Sequence, residues 1–265
     1  QSTDAARSVD TNTAYTVVSW NIGFGAYEDD YGFFMDGGTE SRAWSKERLT
    51  ANMDAIAGYL KQQNADFCLL QEVDIGSTRT YHVDEREPLY AALFNKSSVF
   101  CQNYDSPYLL YPLTAPHGAS RSGLLTFSPA NITAADRVEL PVEGGFMKLL
   151  DLDRCYSVSR IPAEGGKELV LYDLHLSAYT SDGTKAAVVS TYHSVEDGWY
   201  LRVIAAEAHN AVRFLGGLIH AQIVPENLRT GKRIHENHPF MMYFRYHIKN
   251  PSQKQELGVD KMKKR

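Results

Sequence analysis

Residues 66–74 of the 265-residue chain, DFCLLQEVD, join an apolar run to an acidic end. The apolar part, 67–70, predicts a buried strand. The strand stops at Glu72, and an ionised carboxylate is costly to bury unless it is paired. Glu72 therefore either marks the point where the strand reaches solvent or holds a positive charge.

A strand and a helix precede this segment. Residues 15–21, YTVVSWN, are β-branched and aromatic and predict a strand. Residues 45–63 predict a helix that ends at Asn64, because apolar residues recur along them at steps of three and four. These residues are Leu49, Met53, Ile56 and Leu60. The order strand, helix, strand predicts an α/β architecture.

Later segments add strands more than helices. Apolar or alternating runs predict strands at 97–102, 122–128, 146–152, 156–161 and 168–176. Beyond Thr184 the pattern changes, and residues 195–215 predict a helix with Tyr200 and Ile204 on its apolar face. Glycines at 216 and 217 would end this helix, and a further strand is possible at 239–248.

Charge is distributed unevenly along the chain. Residues 1–184 contain 14 Lys and Arg against 25 Asp and Glu, a formal charge of −11, whereas residues 185–265 contain 13 against 7, or +6. The basic end is consistent with contact to nucleic acid or an acidic surface, and equally with a solvated charged surface. We expect a disordered segment at 1–13, a domain at 14–184 and a divergent basic part of the same domain at 185–265.

Composition indicates a globular protein, with 43% hydrophobic and 22% charged residues. No apolar run approaches the roughly 18–20 residues needed to span a membrane. The polar N-terminal stretch is typical of the trimmed end of a longer or exported precursor. Cys68, Cys101 and Cys155 lie in apolar contexts without metal-ligand spacing, so buried free thiols are favoured over a disulfide.

Two motifs suggest other functions but lack essential parts. Gly23 and Gly25 follow a strand as in a dinucleotide-binding fingerprint, but Glu28 stands where the third glycine is required. His235 and His238 resemble a zinc-protease pair, but they are three residues apart instead of four, and a proline follows directly.

Polar residues stand at three predicted strand ends. Asn21 ends the first strand, Glu72 ends the second, and His175 ends a later one, two residues after Asp173. Sites are commonly built where strands of a rigid scaffold give way to loops. A hard cation such as Mg2+ takes one or two carboxylates together with substrate phosphate oxygens, and histidine can transfer a proton to a phosphate or leaving group.

Four segments in this order resemble the endonuclease/exonuclease/phosphatase superfamily, which has the DNase I-like fold. They are SWNIGFG (19–25), LLQEVD (69–74), SRSGLLTFS (120–128) and LYDLHLSAY (171–179). The resemblance covers about residues 14–184. It implies a four-layer α/β sandwich, in which two mixed β-sheets pack face to face between helices.

The resemblance also implies divalent-metal-dependent cleavage of phosphoester bonds. Glu72 would be the ligand of Mg2+ or Mn2+, and Asn21 would support both metal and phosphate. His175 would stabilise or protonate the scissile phosphate, with Asp173 as a further catalytic candidate. The substrate would be a phosphoester such as a nucleic acid, a phospholipid head group, or a sugar or inositol phosphate, because one fold serves many substrates. We expect a monomer, and the motifs resemble those of exported or cell-surface bacterial proteins.

The family's later motifs, Gly-Asp-x-Asn and Ser-Asp-His, are not found. In GGLIHA (216–221), Leu218 and His220 stand where Asp and Asn are expected. In ENHPF (236–240), Asn237 stands before His238 and cannot supply the carboxylate of an Asp–His pair. Because the resemblance and the charge balance change at the same place, we hypothesise that the chain beyond about 184 is a frameshifted, recombined or alternative C-terminus.

Three functions therefore remain open. The first is an active phosphodiesterase or phosphatase in which His220, His235 or His238 replaces the missing base. The second is a non-catalytic module of the same fold that binds phosphorylated ligands. The third is a nucleic-acid binder whose affinity lies in the basic residues 229–265.

Overall fold

The computed structural model describes residues 7–10, 13–139, 154–175, 200–206 and 241–247. The α-helices and β-strands of these ranges are numbered here in chain order. They are β1 (Ala14–Asn21), α1 (Lys46–Gln63), β2 (Phe67–Asp74), α2 (Arg86–Ala92), β3 (Ser97–Leu109), β4 (Gly118–Ser128), β5 (Ala134–Glu139), β6 (Cys155–Ala163), β7 (Lys167–Leu174), β8 (Tyr200–Ala206) and β9 (Met241–His247).

The unit β1–α1–β2 forms as the sequence predicts. The Ser45 hydroxyl caps α1 by accepting a hydrogen bond from the N–H of Arg48, and Asn64 ends the helix in the left-handed conformation. The strands β1 and β2 pair in parallel, with Val17 opposite Phe67. Parallel neighbours need a long crossover, and α1 supplies it.

The first sheet has the strand order β3-β4-β2-β1-β9, and it is mixed because only β1 and β2 are parallel. One face of this sheet is covered by α1 and α2. The predicted apolar face of α1 is buried there, and Leu89 of α2 joins it. This helix layer gives the sheet its first hydrophobic core.

The second sheet has the order β5-β6-β7-β8, with β7 and β8 parallel and the other pairs antiparallel. It packs face to face with the first sheet. Phe67 and Leu69 of β2 lie in one buried cluster with Ile161 of β6 and Leu171 of β7. The predicted α/β sandwich of two mixed sheets is thus present, and a helix layer beyond the second sheet would lie outside the described residues.

The layer between the sheets changes character along the strands. Its inward-facing residues are apolar where β1 and β2 begin and polar where they end. Along three strands the sequence of inward residues is Val17, Ser19 and Asn21; Phe67, Leu69 and Gln71; and Leu169, Leu171, Asp173 and His175. One end of the sandwich is therefore a hydrophobic core, and the other end is a polar site.

The helix predicted for 195–215 is wrong over the part that the structure describes. Residues 200–206 form β8, which pairs with β7 over its whole length. The segment YLRVIAA satisfies both patterns, because its apolar residues fit a helical face while its aromatic and β-branched residues favour a strand. Pairing with a buried neighbouring strand decides the outcome. The strand predicted at 239–248, in contrast, is present as β9.

Four residues of the N-terminal segment expected to be disordered, 7–10, contact the second sheet. Val9 is buried, and its N–H donates to the carbonyl of Pro162 while it bridges to Ala163. The carbonyl of Arg7 accepts from the N–H of Asn131. Residues 7–10 thus lie beside the end of β6, where Val9 joins the apolar cluster between the sheets.

The three cysteines are free and buried, as predicted. Burial raises the pKa of Cys68 to about 12. The Sγ atoms of Cys101 and Cys155 lie 3.6 Å apart, so these two thiols meet across the two sheets.

Several sequence predictions fall on residues that are not described: the strand at 146–152, the end of the helix at 216–217, and the histidines 220, 235 and 238. Among the described helices, none is long and apolar enough to cross a membrane.

Candidate active site

The end of β1 places Asn21. The backbone turns sharply after it through Gly23–Gly25, and the Gly23 N–H donates to the Asn21 Oδ1 at 2.9 Å. The N–H of Ile22 donates to the carbonyl of Gln71 at 3.0 Å, which ties this strand end to that of β2. The Asn21 side chain is therefore oriented by its own turn and lies beside the residue that precedes Glu72.

A β-bulge re-aims Glu72. Leu70 and Val73 both belong to the helix-side core, although side chains of a regular strand alternate between the two faces. The pairing with β4 shifts register between these two residues, and Glu72 adopts a φ of 55°. In a regular strand Glu72 would face the helices, so the bulge turns its carboxylate towards the second sheet.

The three predicted strand-end residues meet. The Asn21 Nδ2 donates to the Glu72 Oε1 at 3.0 Å, and the His175 Nε2 lies 3.5 Å from the same oxygen. His175 follows β7 directly and is 5% exposed, whereas the Glu72 side chain is 24% exposed. The carboxylate thus lies between a buried imidazole and the solvent.

Asp173 lies deeper than these three residues. It is fully buried, and it accepts hydrogen bonds from the Gln71 Nε2 at 2.6 Å and the Thr126 Oγ1 at 3.3 Å. Burial raises the pKa of Asp173 well above its ordinary value. Its two partners belong to the first sheet and Asp173 belongs to the second, so this group joins the sheets beneath the site.

No sequence pattern predicted the ionic group that follows Glu72. The guanidinium of Arg79 is buried and donates two hydrogen bonds to the Asp74 carboxylate, both at 2.8 Å. Burial lowers the pKa of Arg79, but Asp74 and, to a lesser extent, Glu72 raise it above its ordinary value overall. A fixed positive charge therefore stands close to the site. The spacing from Asp74 to Arg79 follows no helical or strand pattern that would reveal the pair.

The chemistry of the donors suits a hard cation held mainly by one carboxylate. Glu72 and Asn21 offer oxygen ligands, and Mg2+ is commonly bound by one or two carboxylates, waters and substrate phosphate. Among the residues that the structure describes, no group of three His, Cys, Asp or Glu side chains is arranged to hold a metal ion. Any cation at Glu72 would thus take further ligands from water, substrate or other parts of the chain.

Comparison of the sequence with protein-family models and with curated proteins gave no match. Comparison with solved structures found similar folds at low identity. An endonuclease/exonuclease/phosphatase from Beutenbergia cavernae DSM 12333 is 20% identical, with a TM-score of 0.42, over 62% of this chain. A humanized D. rerio TDP2 is 15% identical, with a TM-score of 0.48, over 88% of this chain and 82% of that protein.

A third similar structure is the endonuclease/exonuclease/phosphatase from Bacteroides vulgatus, which is 14% identical with a TM-score of 0.40. It is matched over 64% of this chain and 55% of its own length. For the Beutenbergia protein the matched part is 38% of its length. These solved structures include proteins of the family that the four sequence motifs resemble.

Proposed function

We propose that the protein is a metal-dependent phosphoester hydrolase of the phosphodiesterase, nuclease or phosphatase type. The observation that carries the proposal is the meeting of Asn21, Glu72 and His175 around one carboxylate oxygen. Glu72 reaches this position through a bulge and a φ of 55°, which is costly for a residue with a side chain. Such strain is concentrated at functional sites.

Glu72 would hold the divalent cation, Mg2+ or Mn2+, with Asn21 beside it. When bound, such an ion neutralises charge on the phosphate and polarises its bonds. Asn21 orients the Glu72 carboxylate through its Nδ2. The Asn21 Oδ1 already accepts a hydrogen bond from the Gly23 N–H, and its second lone pair could ligate the cation directly.

His175 would act on the phosphate itself. Its Nε2 faces the Glu72 carboxylate, so a phosphate oxygen next to Glu72 lies within reach of the imidazole. From this position His175 can donate a hydrogen bond to a non-bridging oxygen or a proton to the leaving oxygen. Asp173, bound to Gln71 and Thr126, would support the strand that carries His175.

The test is hydrolysis of a panel of phosphoesters with Mg2+, with Mn2+ and with chelator. The panel contains an aryl phosphodiester, an oligonucleotide, a phospholipid and an inositol phosphate. We expect metal-dependent turnover that Glu72→Gln abolishes, since the amide keeps the shape but loses the charge. His175→Ala should lower kcat by about 10²–10⁴-fold, as expected for loss of a proton donor.

The control is Glu87→Gln, which removes an exposed carboxylate from α2. It should leave turnover and Mn2+ affinity unchanged. Turnover that persists in chelator, or that survives Glu72→Gln at the wild-type rate, would contradict the proposal.

A second candidate function is binding of phosphorylated ligands without turnover. It is favoured by the absence of Gly-Asp-x-Asn and Ser-Asp-His from the sequence, which leaves the water-activating base unassigned. It predicts Mn2+ binding by calorimetry, lost in Glu72→Gln, with no hydrolysis above buffer. Binding of nucleic acid by the basic end would instead weaken steeply with salt and vanish when residues 229–265 are deleted.

A further inference from the structure

Arg79 makes a two-sided contact between the chain segments that follow Asn21 and Glu72. It lies in the turn Thr78–Thr80, shortly after β2. The edge of its guanidinium binds both oxygens of Asp74, two residues beyond Glu72. The face of the same group lies 3.8 Å from the ring centroid of Phe24, three residues beyond Asn21.

Phe24 is itself firmly placed. It belongs to the Gly23–Gly25 turn, is 1% exposed, and has a φ of 40°. Its ring packs edge-on against the rings of Tyr27, Tyr31 and Phe33. The Arg79 guanidinium therefore rests on a rigid aromatic cluster, where a stacked cation is favourable.

Asp74 is fixed on its backbone as well as its side chain. Its N–H donates to the Glu85 Oε2 at 2.8 Å, and its carbonyl accepts from the Glu85 N–H at 3.1 Å. Asp74 and Glu85 are both fully buried. The segment after the bulge is thus held by Arg79 at the Asp74 carboxylate and by Glu85 at the Asp74 backbone.

A buried ion pair is weak evidence of stabilisation, because removing two charges from water offsets most of their attraction. The arrangement has a clearer consequence for geometry. The conformation of Glu72, with a φ of 55°, persists only if its surroundings hold it. Arg79 contacts both segments that position the site residues. Neither of these contacts, to Asp74 and to Phe24, involves Asn21 or Glu72 itself.

We infer that Arg79 is a positioning residue that holds Asn21 and Glu72 at the separation needed for cation binding. This inference rests on the proposed function for the ligand, but the geometric part stands on the contacts of Arg79 alone. Lysine cannot replace arginine here, because it has neither the paired donors nor the flat face. Arg79→Lys should therefore keep the charge and lose the positioning.

The first measurement is Mn2+ affinity by calorimetry. We expect Arg79→Lys to weaken Kd at least tenfold. The matched control is Arg86→Lys, because Arg86 also binds both oxygens of one carboxylate, Asp84, and lies 4.9 Å over the ring of Phe100. Since Arg86 contacts neither Asp74 nor Phe24 in these interactions, its variant should keep the wild-type Kd.

The second measurement needs no metal. Amide hydrogen exchange should accelerate tenfold or more in Arg79→Lys at Gly23 and Asp74, whose N–H groups bond to Asn21 and Glu85. Amides of α1 should keep their wild-type rates. Ile161→Ala, a variant at the apolar end of the sandwich, is the control for a general loss of stability. It shows how such a loss alone changes Mn2+ affinity and amide hydrogen exchange.

The outcomes separate the two proposals. Wild-type protein that binds no Mn2+ contradicts the proposed function, and Arg79 is then judged by exchange alone. Arg79→Lys that keeps wild-type exchange at Gly23 and Asp74 overturns the positioning role. The role is also overturned if Ile161→Ala, at an equal loss of Tm, weakens Mn2+ binding to the same extent.

Discussion

Glu72 combines a backbone conformation that disfavours side chains with the carboxylate on which the proposed function depends. With a φ of 55° it lies in the left-handed region, where glycine is the favoured residue. The bulge that produces this conformation also turns the carboxylate to Asn21 and His175. The left-handed conformation of Glu72 therefore lowers the stability of the fold while it places one carboxylate beside Asn21 and His175.

Replacing Glu72 by Gly and by Ala separates the backbone from the side chain. Both variants lose the carboxylate, but only Gly relieves the strain. We expect Glu72→Gly to be more stable than Glu72→Ala by about 1 kcal/mol in urea unfolding. At Asp54, an exposed interior position of α1, the order should be reversed, because Ala exceeds Gly in a helix by about 1 kcal/mol. Equal stability of the two Glu72 variants would rule out strain at this residue.

At the scale of elements, local patterns were sufficient where the pattern was long and clear. The apolar spacing of α1 predicted its buried face, and the cap residues Ser45 and Asn64 stand at its ends. Helix α2 was missed because it has seven residues, including Pro88. Strand β5, AADRVE, was missed because it is mostly exposed and carries no apolar alternation.

In the candidate site, too, local patterns predicted some residues and missed others. Asn21, Glu72 and His175 could be proposed from the sequence because each interrupts an apolar strand at its end. Arg79 could not, since its proposed role depends on a ring contact with Phe24, which lies 55 positions earlier in the chain. The bulge in β2 could not be predicted either, because it is defined by pairing with β4. Contacts between residues far apart in the chain therefore could not be predicted from local sequence patterns.

Two glycines provide opposite tests of the elements that hold them. A Cβ at Gly123 of β4 would come within 2.4 Å of the Phe100 ring and 2.7 Å of the Cys101 carbonyl, both on β3. We expect Gly123→Ala to destabilise by about 1–3 kcal/mol, as overpacking does. Gly58 of α1 has open space around it, so Gly58→Ala should stabilise by about 0.5–1 kcal/mol.

Urea unfolding of both variants, monitored by circular dichroism, gives the two free energies of unfolding. Phe100→Leu in the Gly123→Ala background should recover part of the loss, because it removes the ring that meets the new methyl group. A Gly123→Ala variant of wild-type stability would mean that β3 and β4 are not packed as described.

At the scale of the whole molecule, the two sheets share one interior that is apolar at one end and polar at the other. Strands from beyond residue 184 join both sheets, β8 beside β7 and β9 beside β1. At the polar end, Asp173 of the second sheet bonds to Gln71 and Thr126 of the first. A carboxyl group there is buried between sheets and faces neutral partners.

Three buried groups make stability depend on pH. Burial raises the pKa of Asp173, and burial together with the Asp74 charge raises that of Glu85. Each holds its proton to higher pH in the folded than in the unfolded state, so both lower stability as pH rises above about 4. Burial lowers the pKa of His117 to about 4, so it lowers stability as pH falls from about 6.5. The contribution of one group is therefore best measured as the difference between a variant and the wild type.

Asp173→Asn removes the titrating carboxyl and keeps the shape of its protonated form. The Asn oxygen can accept from Gln71 while its amide group donates to Thr126, as a protonated carboxyl would. In the wild type, Asp173 ionises more readily in the unfolded than in the folded state, and this lowers stability as pH rises. The variant lacks this effect, so its free energy of unfolding relative to wild type should increase steadily from pH 4 to pH 7. Urea unfolding at four pH values measures this difference. A difference that is flat with pH would show that Asp173 is ionised in the folded protein, which would contradict the raised pKa.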